Sequence, residues 1–415
     1  MRTSALSYHA RYHGKIEMHP KIPWRGWEDL PLAYTPGVAE PCRAIWEQPD
    51  EAFTYTNRGN TVAIISDGSA VLGLGDIGPL AALPVLEGKA VLFKVLAGID
   101  AVPICIQERQ AESLVRAVAA LEPSFAAINL EDIAAPRAFE VAEALADAMS
   151  VPVFHDDQHG TAVVVAAALH NALRLTGKSE PSIVINGAGA AGLATTRLLL
   201  AMGWHRITVV DTAGIVYRGR KENMNRYKAA IAELTNLDHR IGDLRHALAG
   251  ADVFIGLSTR GILTADDVAL MNRDPIVFAL ANPEPEILPD LARRAGAAVV
   301  GTGRSDFPNQ INNALAFPGI FRGLLETRAR RVTERILIGA AQALAQLVTP
   351  NELSETCIVP RLDDPRVAPA VAAGVTREVV AQGLAQRSVT PQEVYQRCQQ
   401  LAAPFRPTPP SGQGA

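Results

Sequence analysis

The sequence predicts an α/β protein made of two successive sheet-and-helix units followed by helices. Three observations carry that expectation. From Thr61 to Gly303, short β-branched and apolar runs alternate with longer Ala/Leu-rich segments, the rhythm of strands and crossover helices in parallel sheets. Two early strands end on paired acids, Glu131-Asp132 and Asp156-Asp157. A later strand, Pro181–Asn186, runs into Gly187-Ala188-Gly189-Ala190-Ala191-Gly192 and a helix, and the next strand, Ile207–Val210, ends on Asp211. Strand, glycine turn, helix, strand and acid in that order are the pattern of a Rossmann-type doubly wound sheet.

Composition narrows the class. A chain of 415 residues makes two or three domains with a sizeable core. Hydrophobic content of 48% and charged content of 20% are ordinary for a soluble globular protein. A net charge of −4 and a pI near 6.2 argue against a nucleic-acid or anionic-membrane surface. No apolar run approaches the ~18 residues of a membrane span. Met1 to Lys21 lacks the apolar stretch of a secretory signal. Cys42, Cys105, Cys357 and Cys398 are scattered without C-x-x-C spacing, which favours reduced thiols in the cytoplasm over a zinc site.

Residues 1–60 read as irregular, broken by six prolines. Within them Tyr34 precedes Thr35-Pro36-Gly37, a rigid turn that could aim its hydroxyl into a cleft; packing is the plainer role. After the strand Thr61–Ser66, glycines 73, 75 and 78 imitate a nucleotide loop. Pro79 follows directly and no acid ends a second strand, so close backbone packing accounts for them better. Lys89 and Lys94 interrupt the apolar run 86–100. A desolvated lysine can lose its proton and act as a base, whereas a snorkelling one reaches water; for an isolated lysine the second is commoner.

Strands are expected at 102–106, 125–130 and 151–154, with helices at 111–121 and 136–149 between them. Acids at the carboxyl ends of parallel strands face the crevice where ligands bind. Such oxygen ligands suit Mg²⁺ or Mn²⁺, although acid pairs also cap helices. His155 and His159 fit supporting roles. Residues 161–175 form an Ala/Val-rich helix linking the two units. The glycine turn 187–192 binds a dinucleotide through backbone and helix N-terminus, and Asp211 favours NAD because it would repel a 2′-phosphate. Beyond lie a helix at 243–249 and strands at 253–258, 275–280 and 297–303. Asn282 ends a strand beside prolines, placed to reach nicotinamide or substrate or simply to turn the chain. Asn312 and Asn313 open or cap a helix. Helices are expected at 323–348 and 367–386. The expected domains are a catalytic and metal unit at 1–160, a dinucleotide unit with C-terminal helices at 161–390, and a partly disordered tail at 391–415, Pro/Gly/Ser-rich after Ala403.

Taken together the motifs resemble malic enzyme, over roughly Tyr34 to Gly323. The resemblance rests on Tyr-Thr-Pro-Gly at 34–37, Leu-Gly-Leu-Gly-Asp-Ile-Gly at 72–78, Glu-Gly-Lys-Ala at 87–90 and Asn-Leu-Glu-Asp-Ile at 129–133. It rests also on Phe-His-Asp-Asp-Gln-His-Gly-Thr-Ala at 154–162, the glycine turn, Ala-Asn-Pro-Glu-Pro-Glu at 281–286 and Asn-Asn-Ala-Leu-Ala-Phe-Pro-Gly at 312–319. It implies Tyr34 as general acid and Lys89 as general base, with Lys94 the second candidate. Glu131, Asp132 and Asp157 would bind Mg²⁺ or Mn²⁺, with Asp156 alongside. Lys89, Asn282, Asn312 and Asn313 would meet substrate. Thr161, Gly187, Ala188, Gly189, Ala190, Ala191, Gly192, Asp211 and Asn282 would hold NAD, or NADP as the alternative. Three departures stand out. Ala70-Val71 replace the arginine that larger members carry before the glycine motif, Ala213 replaces a lysine near the ribose acid, and no phosphotransacetylase-like extension follows.

The implied reaction is metal-dependent oxidative decarboxylation of L-malate to pyruvate and CO₂ with reduction of NAD(P)⁺, alongside decarboxylation of oxaloacetate. Lys89 would act neutral, taking the C2 hydroxyl proton, and Tyr34 would protonate C3. The expected partners are malate and further copies of the chain, as a homodimer or higher homo-oligomer. A dehydrogenase of another 2-hydroxy acid, or a non-catalytic nucleotide-binding regulator, would share the glycine turn; a regulator has no need of Tyr34, Lys89 and three metal carboxylates together.

Overall fold

The computed structural model describes residues 4–71 and 73–406, so residues 1–3, Leu72 and 407–415 lie outside the described residues. Four fully parallel strands form the first sheet: β1 (Thr61–Ser66), β2 (Asp100–Cys105), β3 (Ala127–Leu130) and β4 (Val153–His155), in the order β2-β1-β3-β4. Every residue of β1 is buried, as a strand covered on both faces must be. Its register pairs Ile65 with Leu130, and Leu130 pairs in turn with His155. The strand ends are therefore level, and the acids that follow β3 and β4 emerge side by side.

The second sheet holds β5 (Ile183–Asn186), β6 (Ile207–Asp211), β7 (Gly214–Ile215), β8 (Val253–Gly256), β9 (Ile276–Ala279) and β10 (Val299–Thr302). The order is β10-β9-β8-β5-β6-β7, parallel except for β7. The chain leaves β5 towards β6 on one side and returns to β8 on the other. A crevice opens at that reversal, outside the carboxyl ends.

Helices lock the two sheets together. The Thr161–Thr176 helix is buried at every position from Ala162 to Leu169, because it carries small apolar residues all round. Phe93, on the Pro79–Ala97 helix, stacks edge-on against Phe317 at 4.7 Å and Phe321 at 5.0 Å. Phe321 in turn meets Phe154 of β4 at 5.3 Å. Each such ring pair adds about 0.5–1.5 kcal/mol beyond the area it buries. Among the described residues no helix is long and apolar enough to cross a membrane.

Three expectations are corrected. Residues 1–60 are not wholly irregular: Ala5–Tyr12 and Ala39–Glu47 are helices. Pro41 sits in the first turn of the second, where a missing N–H costs nothing. The single helix expected at 323–348 is two, Phe317–Thr327 and Glu334–Gln346. The break is Arg328 in the left-handed region (φ +50°), followed by an N-cap at Thr333; no glycine or proline marks it in the sequence. The segment expected as a partly disordered tail from 391 opens with a helix, Pro391–Ala402. Thr390 and Glu393 close a capping box around Pro391, and Val394, Cys398 and Ala402 bury one face.

Phe93→Ala should cost about 3–5 kcal/mol of stability, read as a lowered midpoint in chemical denaturation. A loss below about 1 kcal/mol would mean that the aromatic cluster does not hold the units together.

Candidate active site

The site begins where β3 and β4 end. Glu131 still follows the strand, its N–H donating to Ile65 O at 2.9 Å. Asp132 then turns into the left-handed region at φ +54°, which a non-glycine residue tolerates only where surroundings impose it. Its N–H donates to Asp157 Oδ2 at 2.9 Å. After β4 the chain makes one wide π turn, Asp156–Gly160, a geometry frequent at functional sites. Gly160 is needed there, since a Cβ would meet Asp156 Oδ1 at 1.9 Å and crowd Asn313 Cβ at 3.2 Å.

Carboxylate oxygens of Glu131, Asp132 and Asp157 all lie within 4.8 Å of one another. Lys89 reaches in from the Pro79–Ala97 helix. Its Nζ stands 2.8 Å from Glu131 Oε1, contacts Asp156 and lies 4.5 Å above the Phe317 ring. Burial acts to strip Lys89 of its proton, but Asp156 and Glu131 outweigh it and raise its pKa above the ordinary value. Glu131 and Asp156 thus favour the charged lysine, whereas the expected base is neutral in the closed site.

Burial, reinforced by Asp157 and Glu131, pushes the Asp132 carboxyl up to about 9. Burial likewise holds Asp156 at about 7 against the pull of Lys89, and raises Glu131. Asp132 Oδ2 and Asp156 Oδ1 are buried without hydrogen-bond partners among the described residues. Surplus acid, unused lone pairs and an all-oxygen donor set fit a divalent cation of the Mg²⁺ or Mn²⁺ type. Loss of water holds His155 neutral at about 3 and His159 at about 4, and His159 Nδ1 accepts from the His155 N–H at 3.2 Å. His159 thereby braces the turn, while the His155 ring is buried with no hydrogen-bond partner among the described residues.

The dinucleotide crevice lies across the Asp156–Gly160 turn. Gly187 has φ +123°, and a Cβ at Gly192 would sit 1.7 Å from Gly187 O. A Cβ at Gly189 would meet nothing within 4 Å, and the Ala190–Ala201 helix starts there with no side-chain cap. Its free N–H groups face open space that a phosphate suits. Asp211 is already engaged: Arg220 holds it bidentately at 2.5 and 2.9 Å, and Lys228 Nζ at 2.6 Å. Burial would raise its pKa, but these two cations lower it.

The remaining candidates divide. Thr161 heads the helix leaving the turn, half-buried. Asn312 caps the short turn Asn313–Leu315, and Asn313 lies against Gly160. Asn282 is exposed, and Gly73 lets the 73–78 loop pack on its carbonyl: a Cβ there would stand 2.6 Å from Asn282 O. Tyr34 is not brought to Lys89; the residue is 66% exposed. Lys94 also lies elsewhere, its half-exposed amine paired with Asp100 at 2.7 Å. Two groups escaped the sequence reading. Arg220 and Lys228 follow the ribose acid in an unremarkable polar stretch. Glu286, fully buried, accepts from the N–H groups of Ser258 and Ala281 and so ties the loops after β8 and β9 beside Asn282. Its signal was an acid set directly before Ile287-Leu288.

A parallel-sheet Rossmann unit joined to an acid-lined α/β unit defines a nicotinamide-dependent oxidoreductase. Residues 13–146 match the family model "Malic enzyme, N-terminal domain" and 158–380 "Malic enzyme, NAD binding domain". The chain is 52% identical to the bifunctional malic/malolactic enzyme of Bacillus subtilis, over 97% of this chain and 98% of that one. It is 51% identical to the NAD-dependent malic enzyme of Geobacillus stearothermophilus, over 91% and 79%. It is 45% identical to the NADP-dependent malic enzyme of Rhizobium meliloti, over 96% of this chain and 54% of that longer one. The crystal structure of malic enzyme from Pyrococcus horikoshii superposes with a TM-score of 0.92 at 44% identity, over 96% of each chain. The chain belongs to the malic enzyme family.

The acid cluster sets a pH dependence. With Asp132 at about 9 and Asp156 at about 7, against 3.8 unfolded, the folded chain holds protons that the unfolded chain releases. Stability of the metal-free protein should therefore fall as pH rises from about 4 to about 9. Asp132→Asn should flatten that slope and stabilise the metal-free protein by about 1–3 kcal/mol at pH 8.5. An unchanged slope in thermal melts would contradict the assignment.

Proposed function

We propose that the protein catalyses oxidative decarboxylation of L-malate to pyruvate and CO₂ with NAD(P)⁺, dependent on Mg²⁺ or Mn²⁺, and that it also decarboxylates oxaloacetate. The observation that carries the reading is Lys89 wedged between Glu131 and Asp156 beside the Asp132–Asp157 carboxylates, across one turn from the dinucleotide crevice. Glu131, Asp132 and Asp157 would hold the cation, which supplies Lewis-acid polarisation of the substrate oxygens. Thr161, the 187–192 turn, Asp211 and Asn282 would hold the nicotinamide cofactor, which accepts the hydride from C2.

The chain's own residues handle protons and position. Lys89 takes the C2 hydroxyl proton in its neutral form, so the charged lysine must first pass its own proton on, and Asp156 is a carboxylate in direct contact with it. Asn313 and Asn312, beside the turn, orient the substrate with Asn282. Tyr34 returns a proton to C3. Because Tyr34 is 66% exposed on a segment that also presents Trp27 (81%) and Trp46 (83%), this reading has it enter the site of a second copy across a homo-oligomer interface. Lys89→Ala should cut malate oxidation by about 10²–10⁴-fold with near-normal NAD⁺ affinity. Tyr34→Phe chains should also be inactive, and mixing the two variants should restore activity through hybrid sites. Assembled mixtures that stay inactive would sink the shared site.

NAD⁺ is the proposed preferred cofactor, since Asp211 ends the second Rossmann strand. The preference is narrow, because Arg220 and Lys228 neutralise the charge that would repel a 2′-phosphate. Arg220→Ala should widen the NAD-over-NADP ratio of kcat/KM roughly tenfold, the weight of a charge-assisted contact. A ratio that moves the other way overturns this account.

A further inference from the structure

We propose that the cavity between the N-terminal segment, the Phe317–Thr327 helix and the Pro391–Ala402 helix binds a small multivalent anion, carboxylate or phosphate, at a site separate from the active site. The cavity has a volume of about 640 Å³, a size that suits a metabolite. Five basic side chains line it against two acidic ones, in a chain whose net charge is −4. Both acids are committed to the fold. Glu326 accepts from Arg322 at 3.0 Å and from Arg387 at 3.0 Å. Glu393 closes the capping box on Thr390. Among the described residues Arg328 and Arg397 have no carboxylate partner.

Arg328 shares its aromatic contact with a second cation. Its guanidinium lies 4.3 Å over the Phe53 ring, and Arg58 stands over the same ring at 4.3 Å. Two cations sharing one aromatic ring leave a positive field that an anion would relieve. Guanidinium groups also match carboxylate and phosphate oxygens bidentately. The wall is shared with the active site. Arg322, 2% exposed, donates from Nε to Ala97 O at 3.2 Å, at the end of the helix that carries Lys89. It belongs to the helix whose first residue, Phe317, lies beneath Lys89. An anion gathered by Arg328 and Arg397 would brace both helices, so malate KM should respond to it.

The test uses the full chain with citrate and pyrophosphate as probes, at ionic strength matched with chloride. Calorimetric titration of the metal-free protein does not depend on the assigned reaction. The wild type should bind one probe in preference to chloride, the tighter of the two identifying carboxylate or phosphate chemistry. Arg328→Gln and Arg397→Gln should each weaken binding about tenfold, or 1.4 kcal/mol. Malate KM without the probe should stay within about twofold of wild type, and its response to the probe should vanish in both variants. Binding no tighter than that of chloride, equal affinity in the variants, or a KM response that persists in them would each overturn the proposal. Equal affinity in the variants is also the result expected where a second copy of the chain covers these arginines.

Discussion

Lys89 and the carboxylates around it are the constraint on which the rest of the structure depends. One ammonium stands among the buried Glu131, Asp156 and Asp132, where water screens little of the charge, with the partly exposed Asp157 beside them. Such a cluster is costly to bury, and the raised carboxyls of Asp132 and Asp156 record that cost. It persists because the scaffold over-determines it. The β1–β3–β4 register sets the two strand ends level, and Gly160 leaves room for the Asp156 carboxylate. The fold therefore carries strain at this seam, as Asp132 at φ +54° also shows.

The same seam couples the units. Lys89 and Phe93 lie one helical turn apart, so the lysine faces the acids while the phenylalanine packs on Phe317 and Phe321. Phe317 serves both, as a packing partner for Phe93 and as the ring below the ammonium. Asn313 sits just ahead of that helix and against the Asp156–Gly160 turn. A displacement of the Phe317–Thr327 helix would thus move the lysine's platform and the substrate amides together. Close packing makes such movement stepwise rather than gradual.

At the cofactor end, charge is tuned by partners rather than by one residue. Asp211 alone argues for NAD; Asp211 with Arg220 and Lys228 is one acid against two bases, a net positive group. Relatives of similar identity carry both NAD- and NADP-dependent names. Small changes in this triad are enough to move selectivity, because each contact is worth only a few kcal/mol.

Much of this was legible in the residues. The alternating strands and helices, the glycine turn and the acids at strand ends follow from local periodicity and turn chemistry, and these determined the two-sheet architecture and the placing of Glu131, Asp132 and Asp157 together. Lys89 and Lys94 could not be separated by sequence, since both interrupt one apolar run; only the helix direction put one against the acids and the other against Asp100. The break at Arg328 and the helix at 391–402 were hidden for a similar reason: one uses no glycine or proline, and the other draws its stability from a buried face. The ionisation of Lys89 and the neutralisation of Asp211 depend on side chains brought together by long-range packing. Local pattern names the elements of this protein. Which charges meet was decided by tertiary structure alone, because electrostatic energy depends on distance and burial rather than on sequence order.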